Sequence, residues 1–252
     1  MKKLFILIII CFTSAVSAVE PIIFNAIEKS ASVYIFNKLA KGLNRRPVSI
    51  SNHDYPQIHM IPHEVFQLVC CRGITRGHFA PTDENIALLK RFNIKMVFHV
   101  RDLRQRIVSF ANYHKRLVAQ GNQILIQHYE ENGFKPTEWT LEDFIDYFIN
   151  EIPYTVQSIE KWLEVYQSGE ALMLITTYED FVENEDLFFK KILEFYRIPQ
   201  QNFRPPYIPQ NAQVNFRKGS TDEWRNVLTP KQIQQINDLI PEELFAFFNW
   251  EY

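Results

Sequence analysis

Glycine is scarce: the 252-residue chain has seven, at Gly42, Gly73, Gly77, Gly121, Gly133, Gly169 and Gly219, and no two stand one residue apart. The G-x-G-x-x-G turn of dinucleotide and kinase loops is therefore absent, and so is a G-x-x-x-x-G-K-[ST] loop. Cysteine is scarcer still. Cys11 lies in the apolar N-terminus and Cys70 and Cys71 are neighbours, which leaves no disulfide framework and no C-x-x-C metal pair. An excess of basic charge is also missing. Lys+Arg 27 against Asp+Glu 29 gives a net charge of -2, so nucleic acid and other polyanions are not expected as general partners. No segment repeats at 20 to 50 residues, and there is no low-complexity stretch or Gly/Ser linker. What remains is 46% hydrophobic and 22% charged, enough apolar matter to bury an ordinary core and to exclude disorder.

The N-terminus reads as a separate object. Lys2 and Lys3 precede an apolar run at 4–12, and small residues end in Ala-Val-Ser-Ala at 15–18. That layout predicts a signal peptide over 1–18, cleaved before Val19, with an exported domain over 19–252 and no membrane insertion after cleavage. The run is short of the roughly 20 residues that span a bilayer. An uncleaved anchor, or a buried helix in a cytoplasmic protein, is the alternative.

Short apolar runs at 22–26, 48–50, 67–71, 95–100 and 171–175 predict buried strands. Helical patterns lie between and after them at 32–43, 84–92, 103–118, 141–150, 156–167, 185–196 and 230–239, several with caps such as Thr140 and Thr229. Strands alternating with helices predict a single α/β domain whose parallel sheet, of about five strands, carries helices on both faces. Ligands in such sheets sit beyond the carboxyl ends of the strands.

Three strand exits and loops there carry chemistry. After the first strand, Glu28-Lys29-Ser30-Ala31-Ser32-Val33-Tyr34 makes a short turn and opens a helix. Unpaired N–H groups, the helix dipole and the Lys29 cation outline a cradle for phosphoryl or sulfuryl oxygens; an ordinary serine-capped helix is the plainer reading. After the fourth, Arg101 ends a strand and Ser109 follows two turns into a helix, near enough to converge on one anion. Arg104 and Arg106 read as solvated helix-surface charges, and Arg101 could instead pair with Asp102 or Glu179. Near the C-terminus, Arg217-Lys218-Gly219 in an irregular segment reads as a loop folding over an anion, or as a basic surface loop.

Together these segments resemble the nucleotide-dependent sulfotransferases that use 3'-phosphoadenosine 5'-phosphosulfate. Against that family's P-K-S-G-T-T-W stands E-K-S-A-S-V-Y at 28–34; an Arg at a strand end with a Ser eight residues on is matched by Arg101 and Ser109. R-K-G-S-T-D-E-W-R-N at 217–226 matches R-K-G-x-x-G-D-W-K-N, and a strand leads into Tyr178-Glu179-Asp180. The resemblance implies a P-loop-NTPase-like three-layer fold. It implies that Lys29 and the backbone of Ser30, Ala31 and Ser32 hold the 5'-phosphosulfate, with Val33 and Tyr34 completing the donor site. Arg101, Ser109, Arg217, Lys218 and Gly219 would hold the 3'-phosphate, with Tyr178 near the adenine. Among the departures from the pattern, Ala31 replaces a glycine, Val33 removes a hydroxyl, and Tyr34 replaces a stacking tryptophan.

An acceptor that attacks sulfur loses a proton, so a base of near-neutral pKa is expected within hydrogen-bond reach. His78, in Thr75-Arg76-Gly77-His78, resembles the family's catalytic histidine in K-T-H-L-P. His99 lies inside a strand and reads as packed, and His59 and His63 flank Pro62, which does not suit a helical metal pair. The expected activity is metal-free transfer of a sulfuryl group from 3'-phosphoadenosine 5'-phosphosulfate to an acceptor hydroxyl or amine, with Lys29 and His78 catalytic. The segment 121–139, with Tyr129, Phe134 and Trp139, reads as part of the acceptor pocket or as an aromatic helix packed on the core. A nucleotide kinase or NTPase and a noncatalytic nucleotide-binding module are the alternatives.

Overall fold

A computed structural model describes residues 20–52, 58–208 and 219–252. Residues 1–18, expected as a signal peptide, and Arg217 and Lys218 lie outside the described residues. Four strands, β1 (Ile22–Ala26), β2 (Ile74–Gly77), β3 (Met96–Val100) and β4 (Met173–Thr177), form one parallel sheet in the order β2-β1-β3-β4. The chain leaves β1 for one neighbour and returns to the other side of it. The crevice between the carboxyl ends of β1 and β3 is therefore the switch point where such sheets bind ligands.

The helices in chain order are α1 (Ser32–Gly42), α2 (Pro62–Cys71), α3 (Asp83–Arg91), α4 (Leu103–Ala119), α5 (Gln123–Glu131), α6 (Leu141–Ile149), α7 (Ile152–Ser168), α8 (Tyr178–Glu183), α9 (Glu185–Phe195), α10 (Trp224–Val227), α11 (Pro230–Asp238) and α12 (Glu242–Phe248). Because strand side chains alternate, Ile22, Phe24 and Ala26 meet Ile35 and Leu39 of α1 and Phe188 and Ile192 of α9 on one face. Ile23, Met96, Phe98 and Val100 meet α3, α4, α6 and α7 on the other. β1 is buried along its length, which its unbroken apolar run requires. Thr140 and Thr229 each close a capping box, with Asp143 and Gln232.

Two expected strands are corrected and one unexpected strand is gained, which makes four rather than five. Residues 67–71 belong to α2: Pro62 sits in its first turn, where a missing N–H costs nothing, and Val65 and Leu68 are buried three apart, a helical spacing. The strand follows instead at Ile74–Gly77. Residues 48–50 form no strand, because beside Pro47 the segment makes only a single bridge, Pro47 to Ile74, and proline has no N–H for a ladder.

Arg104 and Arg106 are also corrected: they are 1% and 3% exposed, not solvated. Arg104 grips Asp102 through Nε (3.0 Å to Oδ1) and Nη2 (2.6 Å to Oδ2) and lies over the Trp224 ring. It thereby fastens α4 to the C-terminal helices, with Asp102 also capping α4 at the Arg104 N–H.

Candidate active site

A cavity of about 1800 Å³ opens at the carboxyl ends of the strands. That exceeds the roughly 300–1,000 Å³ of a single small-ligand pocket, and so suits two ligands side by side. The expected residues Lys29, Ala31, Ser32, Val33, Tyr34, His78, Arg101, Ser109, Tyr178 and Gly219 all line it. Ser30 does not: it is fully buried and its hydroxyl donates to the Ile27 carbonyl at 2.7 Å, leaving only backbone for a ligand.

The turn after β1 is wound without glycine. Lys29 and Ala31 take left-handed φ values of 64° and 62°, which cost an L-residue about 1–2 kcal/mol each, so something must hold them. Buried side chains in β3 and one residue beyond its end do so. Arg101 donates from Nη1 to the Lys29 carbonyl (2.5 Å) and from Nη2 to the Ser220 carbonyl (2.9 Å), its guanidinium stacked 3.8 Å from the Tyr178 ring centre. His99, which takes its Thr176 hydroxyl contact at Nδ1, donates from Nε2 to the Ser30 carbonyl, both at 2.9 Å. Burial drives His99 down to a pKa of about 3, so it is a neutral pillar of the turn. Ala31 is the N-cap of α1 and no side chain caps that helix, so its first N–H groups face the cavity end of the turn with the positive dipole behind them.

Ala31→Gly is expected to stabilise the protein by up to about 1 kcal/mol, because relief of the left-handed strain outweighs the extra freedom of glycine in the unfolded chain. Denaturant melts of the two proteins measure this, and a loss of stability would show instead that the Ala31 methyl is a needed packing contact.

The base position is built with equal care. Asn25, buried in β1, donates to the Phe79 carbonyl (3.0 Å) and accepts the Phe79 N–H (2.7 Å), and Trp162 donates to the same carbonyl (3.0 Å). A Cβ at Gly77 would lie 2.2 Å from the buried Phe79 ring, so only glycine fits there. His78, thus fixed between them, has Nδ1 2.5 Å from the Ala26 carbonyl. A carbonyl only accepts, so Nδ1 carries the hydrogen and Nε2 keeps its lone pair. Burial, opposed by the Glu28 carboxylate, holds the His78 pKa below its ordinary value, which keeps the ring in its basic form at neutral pH.

Lys29 holds its ammonium 3.7 Å from the Tyr113 ring centre, and Ser109 sits one turn before it on α4. Tyr34 keeps its ring at the cavity against Phe181, its hydroxyl donating to Glu185 (2.9 Å) beside Lys38. Burial lifts the Glu179 carboxyl to about 7; its Oε1 accepts the Asp102 N–H. Arg101 thus bonds to two carbonyls in addition to facing that carboxyl.

Sequence reasoning missed part of the wall. Arg106, Phe110, Tyr113, His114 and Leu117 line the cavity with Ser109; the three- and four-residue steps among them, 106 to 110, 110 to 113 and 114, and 113 to 117, were the available signal. His114, boxed by Phe110 (4.6 Å) and Phe148 (4.8 Å) and bonded to the buried Tyr129 hydroxyl (2.8 Å), is driven by burial to a pKa of about 4. Of 121–139, Asn122, Ile124, Leu125, His128 and Tyr129 reach the cavity, while Phe134 packs edge to face on Trp139 and Tyr147, and Trp139 lies tilted against Tyr147.

The sequence matches the sulfotransferase domain family over residues 6–248. Rat sulfotransferase 1A1 is 24% identical over 172 residues, which are 57% of this chain and 53% of the rat protein, so the match spans about half of that relative. Mouse sulfotransferase SULT7A1, in a crystal structure complexed with PAP, superposes with a TM-score of 0.57 at 17% identity, covering 88% of this chain and 83% of the mouse chain. The sulfotransferase domain from the curacin biosynthetic pathway superposes with a TM-score of 0.50 at 12% identity, covering 88% and 99%. These likenesses establish a P-loop-like α/β fold.

Proposed function

The chain belongs to the sulfotransferase domain family, and from that premise we propose that it moves a sulfuryl group from 3'-phosphoadenosine 5'-phosphosulfate to an acceptor hydroxyl or amine. The observation that carries this reading is the bond from Arg101 to the Lys29 carbonyl at the switch point. It sets the cation expected at the 3'-phosphate beside the turn expected at the 5'-phosphosulfate, which supports one nucleotide with phosphate groups at both ends as the ligand of both.

The uncapped first turn of α1 and the Lys29 ammonium offer N–H donors and positive charge to the phosphosulfate end. Arg101, Ser109 and Gly219 border the other end. As the acceptor attacks sulfur, the S–O bond to the phosphate breaks and its electron pair stays on the phosphate oxygen, where Lys29 neutralises the growing charge. The acceptor proton passes to Nε2 of His78, the ring nitrogen left unprotonated by the Ala26 carbonyl. Positioning and charge stabilisation supply most of the acceleration, as in related phosphoryl transfers.

Calorimetric titration with adenosine 3',5'-bisphosphate and with ATP tests the donor assignment. The bisphosphate is expected to bind more tightly, and Arg101→Ala to weaken it by about 10- to 100-fold, the worth of a charge-assisted hydrogen bond. Tighter binding of ATP, or an unchanged Arg101→Ala, would turn the reading toward a kinase or NTPase.

A further inference from the structure

Glu28 stands where the resembled signature carries proline, and the transfer described above gives it no part. Its Oε2 accepts from Nη2 of Arg106 at 2.8 Å. The Arg106 side chain is 4% exposed, and its Nε and Nη1 make no hydrogen bond. A guanidinium so buried needs its counter-charge, since removing the partner leaves an uncompensated ion. The pair therefore ties the Lys29 turn to α4, the helix that carries Ser109, Tyr113 and His114. On the other side, His78 is bonded to the carbonyl of Ala26, two residues before Glu28.

We propose that Glu28, locked by Arg106, is a positioning residue for the transfer: it fixes the Lys29 turn against α4 and supplies the counter-charge for His78 as that ring takes the acceptor proton. This rests on the sulfuryl-transfer reading. The proton moves from the acceptor to Nε2 of His78 and goes no further; the Nδ1 hydrogen stays donated to the Ala26 carbonyl, and Glu28 stays ionised and lowers the energy of the imidazolium through its charge alone. The groups facing His78 divide accordingly. Burial lowers its proton affinity most, and Glu28 and the Ala26 carbonyl raise it, whereas Arg76 on β2 and Arg106 on α4 lower it. Glu28 is the one side chain among these that favours the charged ring.

The ion pair provides its own control, because Glu28→Gln and Arg106→Gln break the same contact while removing charges of opposite sign. Histidine titration by NMR on the full chain, with adenosine 3',5'-bisphosphate present, is expected to show His78 about three- to tenfold weaker as a base in Glu28→Gln and stronger by a similar factor in Arg106→Gln. The acid limb of the kcat profile moves with it, while the KM for the donor changes less than kcat. Glu28→Asp is expected to restore most of the shift, and Arg106→Lys to leave His78 near its parent value; the lysine variant also serves if Arg106→Gln does not fold. Shifts in the same direction in both Gln variants, or none, would reduce the pair to a structural clasp and overturn the proposal. The titration needs no turnover, so a parent protein that transfers no sulfuryl group would count against the proposed function alone.

Discussion

Lys29→Ala is expected to lower kcat by a hundredfold or more, with thermal stability close to that of the parent. The lysine ammonium is the charge that meets the phosphate oxygen as the S–O bond breaks, and losing one such preorganised donor typically costs 10²–10³ in rate, about 2.7–4 kcal/mol. What the turn takes from Lys29 is its backbone: the carbonyl that Arg101 grips and a left-handed φ of 64°, which alanine adopts at much the same strain. The Lys29 ammonium also lies 3.7 Å from the Tyr113 ring centre, a pairing of about 0.5–2 kcal/mol. Steady-state kinetics beside a thermal melt separate the two effects. A variant that turns over like the parent would remove Lys29 from the chemistry, and one that loses activity only because it unfolds would return the residue to a structural role.

His78→Asn is expected to lose about 10²- to 10⁴-fold in kcat, the usual contribution of a placed general base, with donor affinity little changed because the proposed role of the ring is toward the acceptor. Asparagine keeps an N–H for the Ala26 carbonyl but offers no nitrogen lone pair, so it removes the base and leaves the anchoring bond. The pH dependence carries a second signature. A base works only when unprotonated, so activity is flat above the pKa of His78 and falls as pH drops through it. Burial places that pKa below the ordinary histidine value, so the acid limb of kcat is expected below about 6.5 and to vanish from the residual activity of the variant. His114, whose pKa is about 4, would produce a limb at lower pH; its appearance in place of the first would transfer the role to the α4 histidine.

The cradle and the base owe their legibility to short-range patterns. A strand, a turn and a helix opening fit within residues 22–34, and the register of β1 and β2, which pairs Asn25 with Gly77, brings His78 to the same rim. The wall was less legible. Tyr113 and His114 became site residues only because α4 passes the rim with that face inward. Tyr129, bonded to His114, comes from another helix across an intervening turn that no periodicity specifies.

The sequence by itself determined what a dozen consecutive residues can encode: the unbroken apolar runs that became β1, β3 and β4, the threonine caps of α6 and α11, and the turn with its lysine. Only the tertiary structure decided whether an ambiguous apolar run at 67–71 would be helix or strand, since burial of Val65 and Leu68 selected the helical spacing and the sheet took its strand from Ile74–Gly77 instead. It also decided the fate of the charges. Arg104 and Arg106 have the composition of a solvated helix face. What makes them interior is an acid cap beside one and Glu28, 78 residues away, beside the other, and a buried ion is tolerable only where the fold delivers its partner.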